Sequence, residues 1–300
     1  MCLYKSIINK RVNFNFMKKL IPWYLRIIIK VLLARLPIAY GVWSRVGLFR
    51  HGSMDSYDYA WNIIKLHTTE LVNRPSWRGL ELGPGDAMTS AFLATAAGAE
   101  SVILVDSGNF AHRDVELYRR QIEHFSATNP EADLIKFDFS SIDSLLESAG
   151  AKYLSTGLVS MKSIPSSSVD LVYSQAVLEH IRVSEFEDTM RECYRIMDKG
   201  GLMSHVVDFK DHLGGGLNNL RFPTSLWERD WFALNSGFYT NRIRFSQMVK
   251  IGEKVGFTVS TKSVTRWKSK VIADRHVAEE FSDLTLDDLL VSGAHIMFTK

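Results

Sequence analysis

The 300 residues are 46% hydrophobic and 23% charged, with a formal net charge of +3. Those proportions belong to a chain with a full hydrophobic core and exclude a disordered or collagen-like polymer. Cys2 and Cys193 are the two cysteines and have no Cys/His cluster beside them, which excludes a disulfide framework and a zinc-finger pattern.

Charge divides the chain. Ten of the 36 Lys and Arg lie in residues 1–54, which contain none of the 33 Asp and Glu, so residues 55–300 are acidic by about seven charges. The first 54 residues therefore read as a basic segment distinct from a domain over 55–300. Within it Leu20 to Trp43 is apolar but interrupted by Arg26, Lys30 and Arg35. Each cation costs about 2.5–3.5 kcal/mol at mid-bilayer, which argues against a spanning helix. At about 100° per residue Lys19, Arg26 and Lys30 fall within about 40° of one another. That pattern suits a helix lying on an anionic membrane surface, or a lid packed on the domain. The late, charge-interrupted apolar run disfavours a secretory signal.

From residue 55 onward, helix and strand patterns alternate. Helices are predicted near 55–72, 87–97, 113–127, 141–148, 184–197 and 242–255, and strands near 79–83, 101–106, 151–155, 169–174, 201–208, 257–264 and 293–299. Alternation of this kind predicts an α/β fold, a parallel sheet covered on both faces. The last two strands, joined by an acidic stretch near Asp283 to Leu290, are expected to form an antiparallel edge.

The first strand runs into Gly83-Pro84-Gly85, and Val102-Ile103-Leu104-Val105-Asp106 completes one βαβ unit. The glycines let backbone approach a ligand without a Cβ in the way, and the following helix turns its free N–H groups toward it. A dinucleotide fingerprint wants a third glycine where Met88 stands, which weighs against an NAD-linked dehydrogenase. Further on, Ile164 to Ile181 reads as a Pro/Ser turn, an apolar strand and a polar break ending in Leu178-Glu179-His180-Ile181. Met190 to Leu202 reads as a helix, a Gly200-Gly201 turn and another strand.

Residues 209–241 break the alternation. Gly214-Gly215-Gly216 precedes Phe222, Trp227, Trp231, Phe232, Phe238 and Tyr239. An aromatic insertion at the carboxyl edge of such a sheet is a ligand pocket or lid, or else a pair of helices whose aromatics are their own core. His205, Asp208 and His212 bring three titratable groups to the end of the fifth strand and the loop beyond. They are the candidate catalytic set, an imidazole acting as base with Asp208 orienting it. Strand alternation puts His205 and Asp208 on opposite faces, so the three need not converge, and no metal site is expected from them. Glu179 reads as a helix-start residue, and Arg242 and Arg244 as cations for an anionic ligand or for the solvent side of a helix.

The Gly83-Pro84-Gly85 turn with Glu81 and Asp106, together with the 164–181 and 190–202 blocks, resembles the class I S-adenosylmethionine-dependent methyltransferases, over about residues 78–300. The resemblance implies a Rossmann-like, seven-stranded, mostly parallel sheet with an antiparallel edge strand and helices on both faces. It implies S-adenosylmethionine as cofactor, held by Glu81, Gly83, Gly85, Asp106, Ser107, Leu158, Ser174 and Gln175. In that arrangement Asp106, an acceptor-only group, takes both ribose hydroxyls. Where the family often has an acid near the third strand, this sequence has Leu158, so adenine contact there falls to backbone. His205, Asp208 and His212 with the Gly-rich run from Asp211 to Phe222 are similar to bacterial methyltransferases of polysaccharide and glycolipid assembly. That implies O-methylation of a sugar or small-molecule acceptor, with 209–241 on the acceptor side. The cysteine usage predicts a reducing, cytoplasmic setting, with residues 1–54 peripheral on the inner membrane face or packed on the domain as a lid. Nucleic acid is not an expected partner, because the acidic remainder offers no basic stripe. A non-catalytic adaptor that kept the fold is the alternative.

Overall fold

The computed structural model describes residues 22, 24, 25, 28, 32, 53–71, 76–129, 137–234 and 237–300. Seven strands form one sheet: β1 (Arg78–Leu82), β2 (Ser101–Val105), β3 (Ala151–Leu154), β4 (Val169–Gln175), β5 (Met197–Asp208), β6 (Thr258–Arg266) and β7 (Val291–Thr299). Their order is β3-β2-β1-β4-β5-β7-β6. The first five run parallel, and β7 is antiparallel to both β5 and β6. The antiparallel strand therefore sits one place in from the edge, and β6, in the common direction, forms the rim.

Period-two alternation splits the core between the two faces. Leu171 and Tyr173 of β4, with Val102 and Leu104 of β2, join the layer under α1 (Tyr57–Thr68), α2 (Thr89–Ala96), α3 (Val115–Thr128) and α4 (Ile142–Ser148). Leu80, Leu82, Val172, Met203, Val207 and Ile296 face the other way, under α5 (Leu158–Met161), α6 (Val183–Ile196) and α9 (Phe245–Val255). Every residue of α2 is buried, as its run of Ala, Ser and Thr allows, because small side chains let it lie close to the sheet between α1 and α3. Side-chain caps set helix starts: Asp114 accepts from Glu116 N–H at 3.0 Å, and Ser141 accepts from Ser144 N–H at 3.0 Å. At the amino end of the sheet Arg78 grips Asp170 at 3.0 Å and Asp198 at 3.2 Å, tying β1 to β4 and β5.

The insertion after β5 holds the short helices α7 (Thr224–Trp227) and α8 (Asp230–Ala233), and α10 (Leu286–Leu290) leads into β7. Leu213, Trp227, Phe232, Phe238 and Tyr239 pack on one another as a core of their own. Trp227 is fully buried and donates its indole N–H to Thr240 O at 2.7 Å.

Readings of residues 1–54 fall mostly outside the described residues. Tyr24, Leu25, Ile28 and Leu32 of that segment are helical and exposed. No helix among the described residues is long and apolar enough to cross a membrane.

Candidate functional site

The Gly-x-Gly turn lies at the carboxyl edge of the sheet, where β1 stops. Gly83 and Gly85 have φ of +67° and +69°, a region that side chains disfavour. A Cβ at Gly83 would also stand 2.6 Å from Val177 Cγ2. Gly83 N–H donates to Val105 O at 2.8 Å, which closes the turn onto β2. Asp106, just past β2, then meets it: one carboxylate oxygen accepts from Gly85 N–H at 3.1 Å and the other from Ser107 N–H at 2.7 Å. The residue is 9% exposed. A carboxylate is acceptor-only, with about four lone-pair sites, which suits it to a pair of hydroxyls. Gly157, also at positive φ, donates to Asp106 O at 2.8 Å, and a Cβ on it would reach to 3.7 Å from Ser107 Cα. Glycine thus keeps backbone bare at three points around one acidic acceptor, which fits a nucleoside sugar. Ser107 is exposed there, and Leu158 opens α5, half-buried on the apolar layer below.

Glu81 is not at the surface of this cradle. It is 1% exposed, accepts from Ser90 Oγ of α2, and stands 3.4 Å from Tyr173 Oη. Burial pushes its carboxyl up to about 8. It braces the strand and helix beneath the turn, so the direct cofactor contact implied for it becomes an indirect one.

Ser174 and Gln175 separate by alternation. Ser174 points into the α6/α9 core, its Oγ 2.7 Å from His205 Nδ1. His205 is 0% exposed, with Phe298 alongside, and burial holds it down to about 3. Neither side chain is presented to a ligand. Gln175 faces the other way and lines a groove.

The proposed catalytic trio does not come together. His205 is inside the core, on the opposite face of the sheet from Asp208, as alternation anticipates for that pair. Asp208 is half-buried, accepts from Lys210 N–H at 3.0 Å and lies 3.4 Å from Lys210 Nζ. His212 is exposed and packs edge-on against His180, ring centres 4.9 Å apart. Among the described residues no group of three or more His, Cys, Asp or Glu is placed to hold a metal ion.

Three other sequence readings are revised. Glu179 lies in a 3₁₀ turn, Leu178–His180, where it is 2% exposed and accepts from Asp208 N–H at 3.2 Å. Burial pushes it up to about 8. Arg242 and Arg244 are buried and spend their guanidinium groups on backbone carbonyls: Arg242 on Phe222 O at 2.6 Å, Arg244 on Phe209 O at 2.8 Å and Asp288 O at 2.7 Å. They stitch the insertion to the domain.

A groove of about 370 Å³ lies at the carboxyl ends of β4 and β5, walled by Leu66 of α1 and by β6 and β7. Gln175, Asp208, Lys210, Ser263, Thr265, Ser292 and His295 bring polar side chains to it. Sequence reasoning passed over His67 and His295. The available signal was a histidine inside an apolar strand, Ala294-His295-Ile296, and another on the last turn of an amphipathic helix.

Residues 80–204 match the family model described as a methyltransferase domain. No curated protein matches the sequence. Among solved structures, the YcgJ protein from Bacillus subtilis is 14% identical, with a TM-score of 0.45 and coverage of 80% of this chain and 98% of that one. A SAM dependent methyltransferase from Archaeoglobus fulgidus is 14% identical, with a TM-score of 0.41 over 82% of this chain and 95% of that one. Phosphoethanolamine N-methyltransferase 2 from Haemonchus contortus, in complex with S-adenosyl-L-methionine, is 15% identical, with a TM-score of 0.44 over 84% of this chain and 54% of that one.

Proposed function

We propose that the chain, whose residues 80–204 match the methyltransferase-domain family model, is an S-adenosylmethionine-dependent methyltransferase that acts on a hydroxyl of a small-molecule or glycan acceptor. The observation that carries this is Asp106, an acceptor-only side chain held between two backbone N–H groups beside a turn whose two glycines both lie at positive φ. Asp106 takes the ribose hydroxyls, Gly83 and Gly85 give the methionine part its close approach, and Ser107 and Leu158 complete the cofactor side, while Gln175 lines the groove beside it. When bound, the cofactor supplies an electrophilic methyl carbon on a sulfonium. The groove between α1 and β7 takes the acceptor, and Asp208 with Lys210 lies at its mouth. In-line transfer then needs chiefly alignment and exclusion of water.

Calorimetry with S-adenosylmethionine tests the reading. Wild type binds, and Asp106→Ala weakens binding at least about tenfold, since one hydrogen bond to a charged group contributes about 1.5–3 kcal/mol. Equal affinity in the two proteins would refute it.

A peripheral position on the inner face of the membrane accompanies this proposal. It is favoured by the exposed Tyr24, Leu25, Ile28 and Leu32 in a segment with ten cations and no acid.

A further inference from the structure

Gln175 of β4, Val206 of β5 and His295 of β7 stand in one row across the carboxyl edge, on the α1 face of the sheet. His295 Nε2 is 2.8 Å from Ser204 Oγ, and that same oxygen is 2.7 Å from His67 Nδ1 on α1. One hydroxyl carries one proton, so it cannot donate to both imidazoles; one ring must donate to it.

The direction turns on the tautomer of His67. His67 Nε2 and Gln175 Oε1 are both buried without a hydrogen-bond partner among the described residues. With the hydrogen of His67 on Nε2, its Nδ1 is an acceptor, and Ser204 donates to it and accepts from His295 Nε2–H. That tautomer is part of the proposal below. His295 is left with a lone pair on Nδ1, in a side chain that lines the groove.

We propose that His295 is the general base of the groove, with Ser204 and His67 as positioning residues that lock its tautomer, and that the acceptor is a hydroxyl compound. The proposal rests on the methyltransferase reading. Ser263, Thr265 and Ser292 line the groove with hydroxyls suited to a polar, hydroxyl-bearing molecule. An alcohol needs its proton removed as it attacks, which is the work an imidazole can do. As the acceptor oxygen forms its bond to the methyl carbon, the carbon–sulfur bond breaks with its electron pair going to sulfur. The hydroxyl proton passes to His295 Nδ1 and from there to water. The groups facing His295 keep it neutral for this: burial and Lys262 of β6 lower its proton affinity, and Glu70, ion-paired to Lys262 at 2.6 Å, opposes them.

Nitrogen NMR of the full chain with ¹⁵N-labelled histidine reads the tautomers without an acceptor. The expected result is Nε2–H on both His295 and His67, with Ser204→Ala releasing His295 into a tautomer mixture. Nδ1–H on His295, or no response to Ser204→Ala, overturns the proposal. A second readout uses methyl-tritiated S-adenosylmethionine and the small-molecule fraction of a cell extract. His295→Gln is expected to bind the cofactor as wild type does but to transfer label about a hundredfold more slowly, and added imidazole should partly restore His295→Gly. A loss under about threefold would remove the base role, whose expected contribution is far larger. Failure of wild type to bind cofactor or transfer label counts instead against the methyltransferase reading, and His295 loses its role with it.

Discussion

At the residue scale, buried ionisable groups set the pH response. His67 and His205 are held down to about 3 in the fold, chiefly by burial, against an ordinary value near 6.5. Below that ordinary value the unfolded chain takes up protons the folded rings refuse, so stability falls as pH drops from 6.5 toward 3. Urea unfolding should show a loss of about 1–2 kcal/mol per ring between pH 6.5 and 5, and His205→Gln should remove one ring's share. Glu81 acts with the opposite sign. Its carboxyl, pushed up to about 8, stabilises the fold fully below the unfolded value of about 4.5 and loses that contribution as pH rises through 8. Glu81→Gln should therefore be more stable than wild type at pH 9, measured in the same way. The placing of His205 and Asp208 on opposite faces was legible from period two along β5; the burial of His205 was not, because both faces of the sheet are covered. Its partnership with Ser174 was not, because that depends on the register of two strands far apart in the chain. Likewise, an acid two places before a glycine turn looks the same whether it meets a ligand or a serine on the next helix.

At the element scale, the glycine turn and the insertion behave differently. Gly83→Ala places a side chain at φ +67° against Val177. A left-handed residue costs about 1–2 kcal/mol, and the forced shift of the turn should weaken cofactor binding; Val177→Ala should restore part of that loss in calorimetry on the double variant. Trp227→Ala should cost about 3–5 kcal/mol. Because Trp227 belongs to a separate small core, hydrogen exchange should show the loss concentrated in residues 209–244. All seven strands were legible from alternation and turn residues, within a few positions. The role of the insertion was not: aromatic residues in a Gly-rich stretch are equally consistent with a pocket wall and with a private core, and only tertiary packing separates the two. The buried Arg242 and Arg244 were hidden by their charge, since nothing local marks an arginine whose partners are carbonyls of distant segments.

At the scale of the whole molecule, charge and strand order are the governing features. Removal of residues 1–54 takes away ten cations and leaves an acidic domain. Flotation with vesicles containing anionic lipid should show the full chain bound and the truncated one free, with binding of the full chain weakened by salt. Equal flotation would rule out attachment through that segment. Strand order has its own consequence. β7 lies between β5 and β6 but is made after both, so on the ribosome β5 keeps a bare flank until residue 299 has emerged. During that interval the hydroxyl-lined groove has no far wall, and the open edge can recruit a foreign strand. Nascent chains stalled before β7 are thus the species most in need of a chaperone, and the capacity to react is completed in the same step that seals the sheet.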